Sequence, residues 1–281
     1  MKEVTVLTHR RPDDIGTALR TLAERAAAAG AVLRLDPDET RKHPLQPGPG
    51  LELNAEIKRD ADICVVLGGD GTILRALQAY AGTDVPVFAI NYGQIGFLAT
   101  VEPADLEDGI RRALEGDFEL LRLPAIMVEL PDGRHTAIND VAIHRKVGER
   151  VAELSYSLDH EEAGSVRCDG LVVATPAGST GYNLANGGPV MAWGVAGFVV
   201  SFIAPHSMTA RALVVAPGDR LTIRNRSPEA LDVAVDGRPV GEIAGGGSIA
   251  AWFVDDQATL AQLPGSSFYK RLRERFGRLA S

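Results

Sequence analysis

The chain has 281 residues, 45% of them hydrophobic and 23% charged, with a formal net charge of -8 at pH 7. That length suits two domains with ample core, and the acidic balance argues against a broad nucleic-acid or anionic-membrane surface. No apolar run reaches the roughly 18–20 residues a membrane-spanning helix needs, so a soluble, cytoplasmic protein is expected. The stretch Met1–Val6 enters a strand directly and reads as carrying no leader. Cys64 and Cys168 form no CxxC pair, and Cys64 lies inside an apolar run, which favours buried free thiols over a disulfide.

In chain order, Val4–Thr8 reads as a strand, 13–29 as an amphipathic helix, and Ala31–Leu35 as a second strand. The Pro- and Gly-rich stretch 37–50 lacks apolar period and reads as a loop, with a short helix expected at 52–59. Ile63-Cys64-Val65-Val66-Leu67 is a β-branched run bounded by Asp62 and Gly68, as in a strand buried on both faces. It stops at Gly68-Gly69-Asp70-Gly71-Thr72 and hands over to a helix running to about Tyr80. Glycines there leave backbone N–H groups uncovered at a helix start, which makes a phosphate cradle. Asp70 stands in the middle of it. Either Asp70 caps the helix, or it takes a proton from a substrate hydroxyl beside a phosphate. The turn is neither GxGxxG nor a Walker loop. A strand at Val85–Ile90 and a helix at 102–115 complete an alternation that predicts a parallel sheet with helices on its faces. Ligands collect at the carboxyl ends of such strands, where 68–72 and 91–98 both fall.

From about Phe118 the texture changes. Ala125–Leu130, the turn Pro131-Asp132-Gly133 and a run ending at Val141-Ala142-Ile143 read as a hairpin. Short strands follow at 171–174, 199–202, 220–223, 231–235 and 248–253, with no long helix among them. The expected division is an α/β nucleotide-binding domain over 1–117, a mainly β domain of packed sheets over 118–265, and a tail over 266–281. In the tail, 267–276 reads as a basic amphipathic helix docking back on the first domain.

As a string, GGDGT resembles the signature shared by NAD kinases, diacylglycerol and sphingosine kinases, and phosphofructokinases. The stretch 167–189, with Asp169-Gly170-Leu171 before a strand and Thr175-Pro176-Ala177-Gly178-Ser179-Thr180-Gly181-Tyr182-Asn183 after it, is by itself compatible with ordinary turn material. Together with GGDGT it resembles the NAD kinases, whose RxDGL turn, strand and TPxGSTAYN loop follow one another. Asn91–Leu98 is similar to that family's NxGxLGFL, Asn139-Asp140 to its Asn-acid pair, 205–211 to its PHxxxxR segment, and Asp236-Gly237 to its late DG turn. The likeness covers nearly the whole chain. It departs in having Asp140 where Glu is commoner and Gly181 where Ala is usual.

That resemblance implies phosphorylation of the 2′-hydroxyl of the adenosine ribose of NAD, using ATP or polyphosphate and a divalent metal. The metal is expected to be Mg²⁺ arriving on the nucleotide, with no protein metal ligands assigned. Asp70 is then the general base, and Gly68, Gly69 and Thr72 hold the donor phosphates. Gly71, Phe97, Asn139, Asp140, Asp169, Ala177, Thr180, Gly181 and Tyr182 bind substrate, with Phe97 either beside the adenine or in the core. Arg167, His206 and Asp236 are weaker candidates; His144 and His206 have no metal-ligand spacing. A homodimer or homotetramer is implied, since second-motif residues of the family serve a neighbouring subunit. Two competitors remain: a lipid kinase, which would need an apolar lip or basic face, and a dinucleotide sensor, which would not need Asp70.

Overall fold

The computed structural model describes residues 3–9, 15–93 and 96–277. The chain divides into two compact units, Met1–Arg122 with Ala258–Ser281, and Leu123–Gln257.

The first unit opens with β1 (Glu3–Thr8), α1 (Gly16–Ala28), β2 (Val32–Arg34), α2 (Pro37–Lys42) and β3 (Leu51–Glu52). It continues with β4 (Ile63–Gly68), α3 (Asp70–Ala79), β5 (Pro86–Asn91) and α4 (Leu106–Glu115). The strands lie in the order β5-β4-β1-β2-β3, all parallel. All six residues of β4 are buried, which is why its sequence is apolar without alternation. Val4, Val6, Val65, Leu67, Phe88 and Ile90 of the sheet pack with Leu19 and Leu22 of α1 and Ile110 of α4 in one core.

Two expectations for this unit are corrected. The 37–50 loop begins with a helix: the Asp36 carboxylate accepts from Glu39 N at 2.7 Å as N-cap, and Pro37 takes the first turn, where no N–H is needed. Apolar period was missing because the buried face of α2 is a carboxylate. Glu39 is fully buried, answered by Lys42 at 2.8 Å and Arg75 at 2.5 Å. The helix expected at 52–59 is absent. Leu51 and Glu52 pair with Leu33 and Arg34, and Asn54 at φ 53° turns the chain away. Asp13 and Asp14, placed by sequence in the first helix, lie outside the described residues.

The second unit holds β6 (Glu119–Leu130, which starts in the first unit), β7 (Gly133–Ala137), β8 (Asp140–Arg145), β9 (Ala152–Leu158), β10 (Glu161–Cys168) and β11 (Gly170–Ala174). After the short α5 (Tyr182–Ala185) come β12 (Phe198–Ile203), β13 (Leu213–Val215), β14 (Arg220–Asn225), β15 (Leu231–Val235), β16 (Arg238–Ile243) and β17 (Ser248–Gln262). One antiparallel sheet runs β13-β12-β11-β8-β15-β16, and β10, β9, β14 and the first half of β17 form a second. Val141, Ile143, Leu171, Val173 and Val233 of one pack with Leu154, Leu221, Ile223 and Ala251 of the other, giving the expected mainly β architecture of packed sheets.

The hairpin expected to run through 141–143 instead stops at Ala137, and β8 belongs to the other sheet. The cause is a partner far along the chain: the Asp236 carboxylate takes the N–H groups of Ile138, Asn139 and Asp140, which removes them from the ladder. Strands β9, β10, β13 and β16 are additions to the sequence reading. Of these, β16 follows a two-residue Asp236-Gly237 turn with both residues at positive φ (47° and 74°), a hairpin turn its DG dipeptide signals.

Residues 258–265, placed by sequence in the second domain, fall in the first unit because Thr259 and Leu260 pair in parallel with Pro86 and Val87. There the chain ends its described part in α6 (Phe268–Phe276), capped by the Ser267 hydroxyl, which accepts from Lys270 N at 3.1 Å. Cys64 and Cys168 are buried free thiols. Among the described residues, no helix is long and apolar enough to cross a membrane.

Candidate functional site

In the first unit, Gly68 ends β4 and pairs with Asn91 at the end of β5, so the turns after these two strands lie side by side. Their backbones touch: a Cβ on Gly69 would sit 2.9 Å from the Gly93 Cα. Only glycine permits that approach. Gly68 is buried with the buried Thr72 tucked against it, whereas Gly71 is exposed.

Asp70 is the first helical residue of α3, and the N-cap is Gly69, so Asp70 does not cap its helix. Its carboxylate accepts instead from Phe97 N at 2.7 Å and Leu98 N at 3.2 Å. Gly96 has no room for a side chain, because a Cβ there would lie 2.5 Å from Asp70 Oδ1. Burial pushes the Asp70 carboxyl above its ordinary pKa, opposed by the two N–H groups and by Arg271 and Arg275. Phe97 is 6% exposed, its ring 5.4 Å from that of Phe276 and 6.4 Å from that of Phe268. Of the 91–98 motif, Gln94 and Ile95 lie outside the described residues.

In the second unit, alternation puts Asp140, Ala142 and His144 of β8 on the face away from the inter-sheet core. The Asp236 carboxylate accepts from Ile138 N (2.9 Å), Asn139 N (2.7 Å) and Asp140 N (3.0 Å), and Asp236 N donates to Asp140 O at 2.9 Å. The late DG turn therefore clamps the Asn-Asp pair from one side. From the other, Thr175 N donates to Asn139 O at 2.9 Å and the Thr175 hydroxyl donates to Ile138 O at 2.6 Å. A Cβ on Gly178 would lie 2.1 Å from Asn139 O, so the loop after β11 packs on the pair with no gap. Asp140 is 9% exposed, and burial together with the Asp236 charge pushes its pKa up to about 7. Asn139 Oδ1 is a buried acceptor without a partner among the described residues.

The hydroxyls of that loop divide by role. Thr175 and Ser179 are fully buried and hold the loop itself, Ser179 by accepting from Met191 N at 2.9 Å. Thr180 is half-buried, Ala177 buried, and Gly181 and Tyr182 are exposed. The Tyr182 ring stacks on His144 at 5.6 Å, where its phenol feels both Asp140 and Asp169.

Asp169 lies at the opposite end of β11 from Thr175, five residues before Ala174, the partner of Asp140, and so about 17 Å along the strand from Asp140 at roughly 3.4 Å per residue. There Asp169 pairs with Arg145 at 2.6 Å, which holds its carboxyl below the usual range. Arg167 and His206 meet at this same end, His206 N donating to Arg167 O at 2.7 Å, and both side chains are exposed. Elsewhere in this unit, Lys146 pairs with Glu242 and Arg211 donates to Met208 O and Ala210 O. Arg10 and Arg11 lie outside the described residues.

The sequence reading missed Arg145, Arg271 and Arg275. The last two are four apart on a helix read as basic, a spacing that puts both on one face. For the metal, no group of three or more His, Cys, Asp or Glu among the described residues could hold an ion. Asp236, the acid nearest Asp140, is engaged by backbone N–H groups, so this donor set does not fit a protein-held metal.

The profile of the ATP-NAD kinase N-terminal domain matches residues 16–118, and that of the ATP-NAD kinase C-terminal domain matches 138–263. An NAD kinase of Gemmatimonas aurantiaca is 32% identical over 98% of this chain and 95% of its own length. One from Symbiobacterium thermophilum is 34% identical over 98% of each. Among solved structures, yeast NADH kinase complexed with NADH has the same fold, with a TM-score of 0.87 at 21% identity over 100% of this chain and 89% of that one. An Archaeoglobus fulgidus NAD kinase in complex with ATP gives 0.72 at 26% identity over 99% and 98%. With both domain profiles matched in order and the motif residues gathered as described, the chain belongs to the NAD kinase family.

Proposed function

We propose that the chain transfers the γ-phosphoryl group of ATP to the 2′-hydroxyl of the adenosine ribose of NAD, giving NADP and ADP. The observation that carries the mechanism is the setting of Asp70: a carboxylate at the start of α3, beside a glycine turn, aimed by two N–H groups rather than locked into its helix. Asp70 accepts the proton of the 2′-hydroxyl as that oxygen bonds to the γ-phosphorus and the bond from phosphorus to the β,γ-bridging oxygen breaks. A base needs affinity for the proton without being neutral beforehand. Burial raises that affinity, and two N–H groups and two arginines limit the rise.

Gly68, Gly69 and Thr72 shape the turn that holds the donor phosphates, with Gly71 open to a close backbone approach. A divalent cation, Mg²⁺ brought on the triphosphate, neutralises phosphate charge when bound. Asn139 and Asp140 hold the adenosine; the unpartnered Asn139 Oδ1 supports this, since a buried acceptor costs free energy until a ligand donor meets it. Ala177, Thr180, Gly181 and Tyr182 wall the nucleoside. Asp169, with Arg145, Arg167 and His206 around it, takes the far nicotinamide end, in this subunit or a neighbour of a homodimer or homotetramer. The Phe97 ring anchors its loop within the core rather than stacking on adenine, since it is buried among Phe268 and Phe276.

The test is NADP formation from NAD, ATP and Mg²⁺, read by a coupled NADP-specific dehydrogenase, with Asp70→Asn alongside. Turnover in the parent with loss in the variant is expected. A fully active Asp70→Asn protein would remove Asp70 as base, and a silent parent with both ATP and polyphosphate would remove the reaction.

A further inference from the structure

Two main-chain N–H groups aim the Asp70 carboxylate, and the segment carrying them is held from its other side by the carboxy-terminal helix. Arg271 Nη1 donates to Phe97 O at 2.8 Å and also to Ala99 O, while its Nη2 donates to Gln262 Oε1 at 2.6 Å. One turn on, Arg275 Nε donates to Gly96 O at 2.9 Å and its Nη2 pairs with Glu102 at 3.2 Å. In the segment 96–99, the amides thus face a carboxylate and the carbonyls face two guanidinium groups. Polarised in this way, each peptide is a better donor to Asp70 than an isolated one.

We infer that Arg271 and Arg275 are positioning residues for Asp70, acting through the backbone of 96–99. The inference rests on Asp70 being the base, and it gives α6 a part in turnover that its distance in sequence, some 200 residues from Asp70, does not suggest. Phe97 reinforces the arrangement: its ring sits against Phe268 and Phe276, so the helix grips the loop by side chain as well as by carbonyl. Arginine is required at 271 because a planar fork reaches two carbonyls and an amide oxygen at once, which an ammonium on a flexible stem does not reproduce.

The two arginines also act by charge. Asp70 faces Arg271 and Arg275 on α6 and the N–H groups of 97 and 98, while Arg271 in turn feels Glu102, Glu274 and Arg275. Removing either cation leaves burial less opposed, so Asp70 protonates at higher pH.

The experiment uses the full chain with Arg271→Met, Arg271→Lys and Arg275→Met, measured beside Asp70→Asn. Expected for Arg271→Met are a kcat lowered about 10–100-fold, as for a misplaced catalytic group, and KM values for NAD and ATP within about threefold of the parent. The acid limb of its kcat–pH profile moves up by about half a unit or more. Arg271→Lys restores the limb, which follows charge, but not kcat, which follows the fork. Arg275→Met, whose partner side chain is more accessible, gives the smaller version of the same pattern and carries the test if Arg271→Met does not fold. A merely structural role would lower the melting temperature and leave the limb in place, and that result overturns the inference. Asp70→Asn separates the two readings. If it is inactive while the arginine variants keep the parent's limb, only this inference fails; if it is fully active, the base itself has failed.

Discussion

Asp70 in the first unit and Asp140 in the second are both carboxylates drawn out of water, and their surroundings oppose each other. Around Asp70, two N–H groups and two arginines answer the burial. Around Asp140, among the described residues, no cation enters, and the charge that acts on it is the Asp236 carboxylate, which adds to the burial and carries Asp140 to about 7. The difference follows from how each unit ends its strands. A parallel sheet brings two glycine turns together and leaves amides to point at an acid. The antiparallel sheet closes on a DG hairpin turn whose own carboxylate takes the neighbouring amides. Burial raises both carboxyls, but at Asp70 amides and cations oppose the rise, whereas at Asp140 a second carboxylate adds to it.

The largest expected effect tests the first half. Asp70→Asn should lower kcat by about 10²–10⁴-fold, the usual contribution of a positioned base, with little change in melting temperature. Were the two acids equivalent, Asp140→Asn would cost as much in kcat; here it should act on the KM for NAD instead.

Asp140→Asn has a second expected effect, on stability, and its sign can be worked out. The folded carboxyl keeps its proton to about pH 7, against an ordinary value of 3.8. Between those values the folded state binds more protons than the unfolded one, so this group's contribution is complete below about pH 3.8 and is lost as pH rises through 7. Asparagine has no such proton to lose. The variant should gain on the parent from pH 5 to pH 8, by on the order of a few kcal/mol at most. Parallel curves of melting temperature against pH would show that Asp140 is not strained in this way.

Much of this was legible in the sequence because it is written in local strings. A β-branched run that ends in GGDGT can hardly be other than a buried strand, a turn and a helix, and β4 and α3 are that. What was not legible depends on partners far along the chain. The helix α2 hides its buried face as Glu39, whose burial makes sense only once Arg75 and Lys42 are beside it. Asp70 looks like a helix cap until the amides of 97 and 98 are placed. Asp236 and Asn139 are 97 residues apart, and no periodicity connects them. The split of Asp169 from Asp140 was equally invisible, since one strand separates them in space and both sit next to recognisable motifs.

Glycines in the two units meet opposite surroundings. At Gly178 a Cβ would meet the backbone of Asn139 at 2.1 Å for O and 2.5 Å for C. Neither side can yield without moving the loop or the Asn-Asp pair. Gly178→Ala should therefore destabilise by about 1–3 kcal/mol, as overpacking does, and raise the KM for NAD. Unchanged melting together with an unchanged KM would mean that the loop does not brace the pair.

Gly71 is the opposite case and the smallest expected effect on stability. It is exposed, it lies in the first turn of α3, and a Cβ there meets nothing within 4 Å. By conformational preference alone, Gly71→Ala should leave the protein as stable or up to about 1 kcal/mol more so, because alanine loses less entropy on entering a helix. A cost can then come only from a ligand. If donor phosphates approach this backbone, the methyl group stands in their way, and the KM for ATP should rise while the KM for NAD stays at the parent's value and the melting temperature does not fall. An alanine variant that matches the parent in KM for both substrates would mean that the openness at Gly71 is incidental and that the phosphates are held elsewhere in the turn.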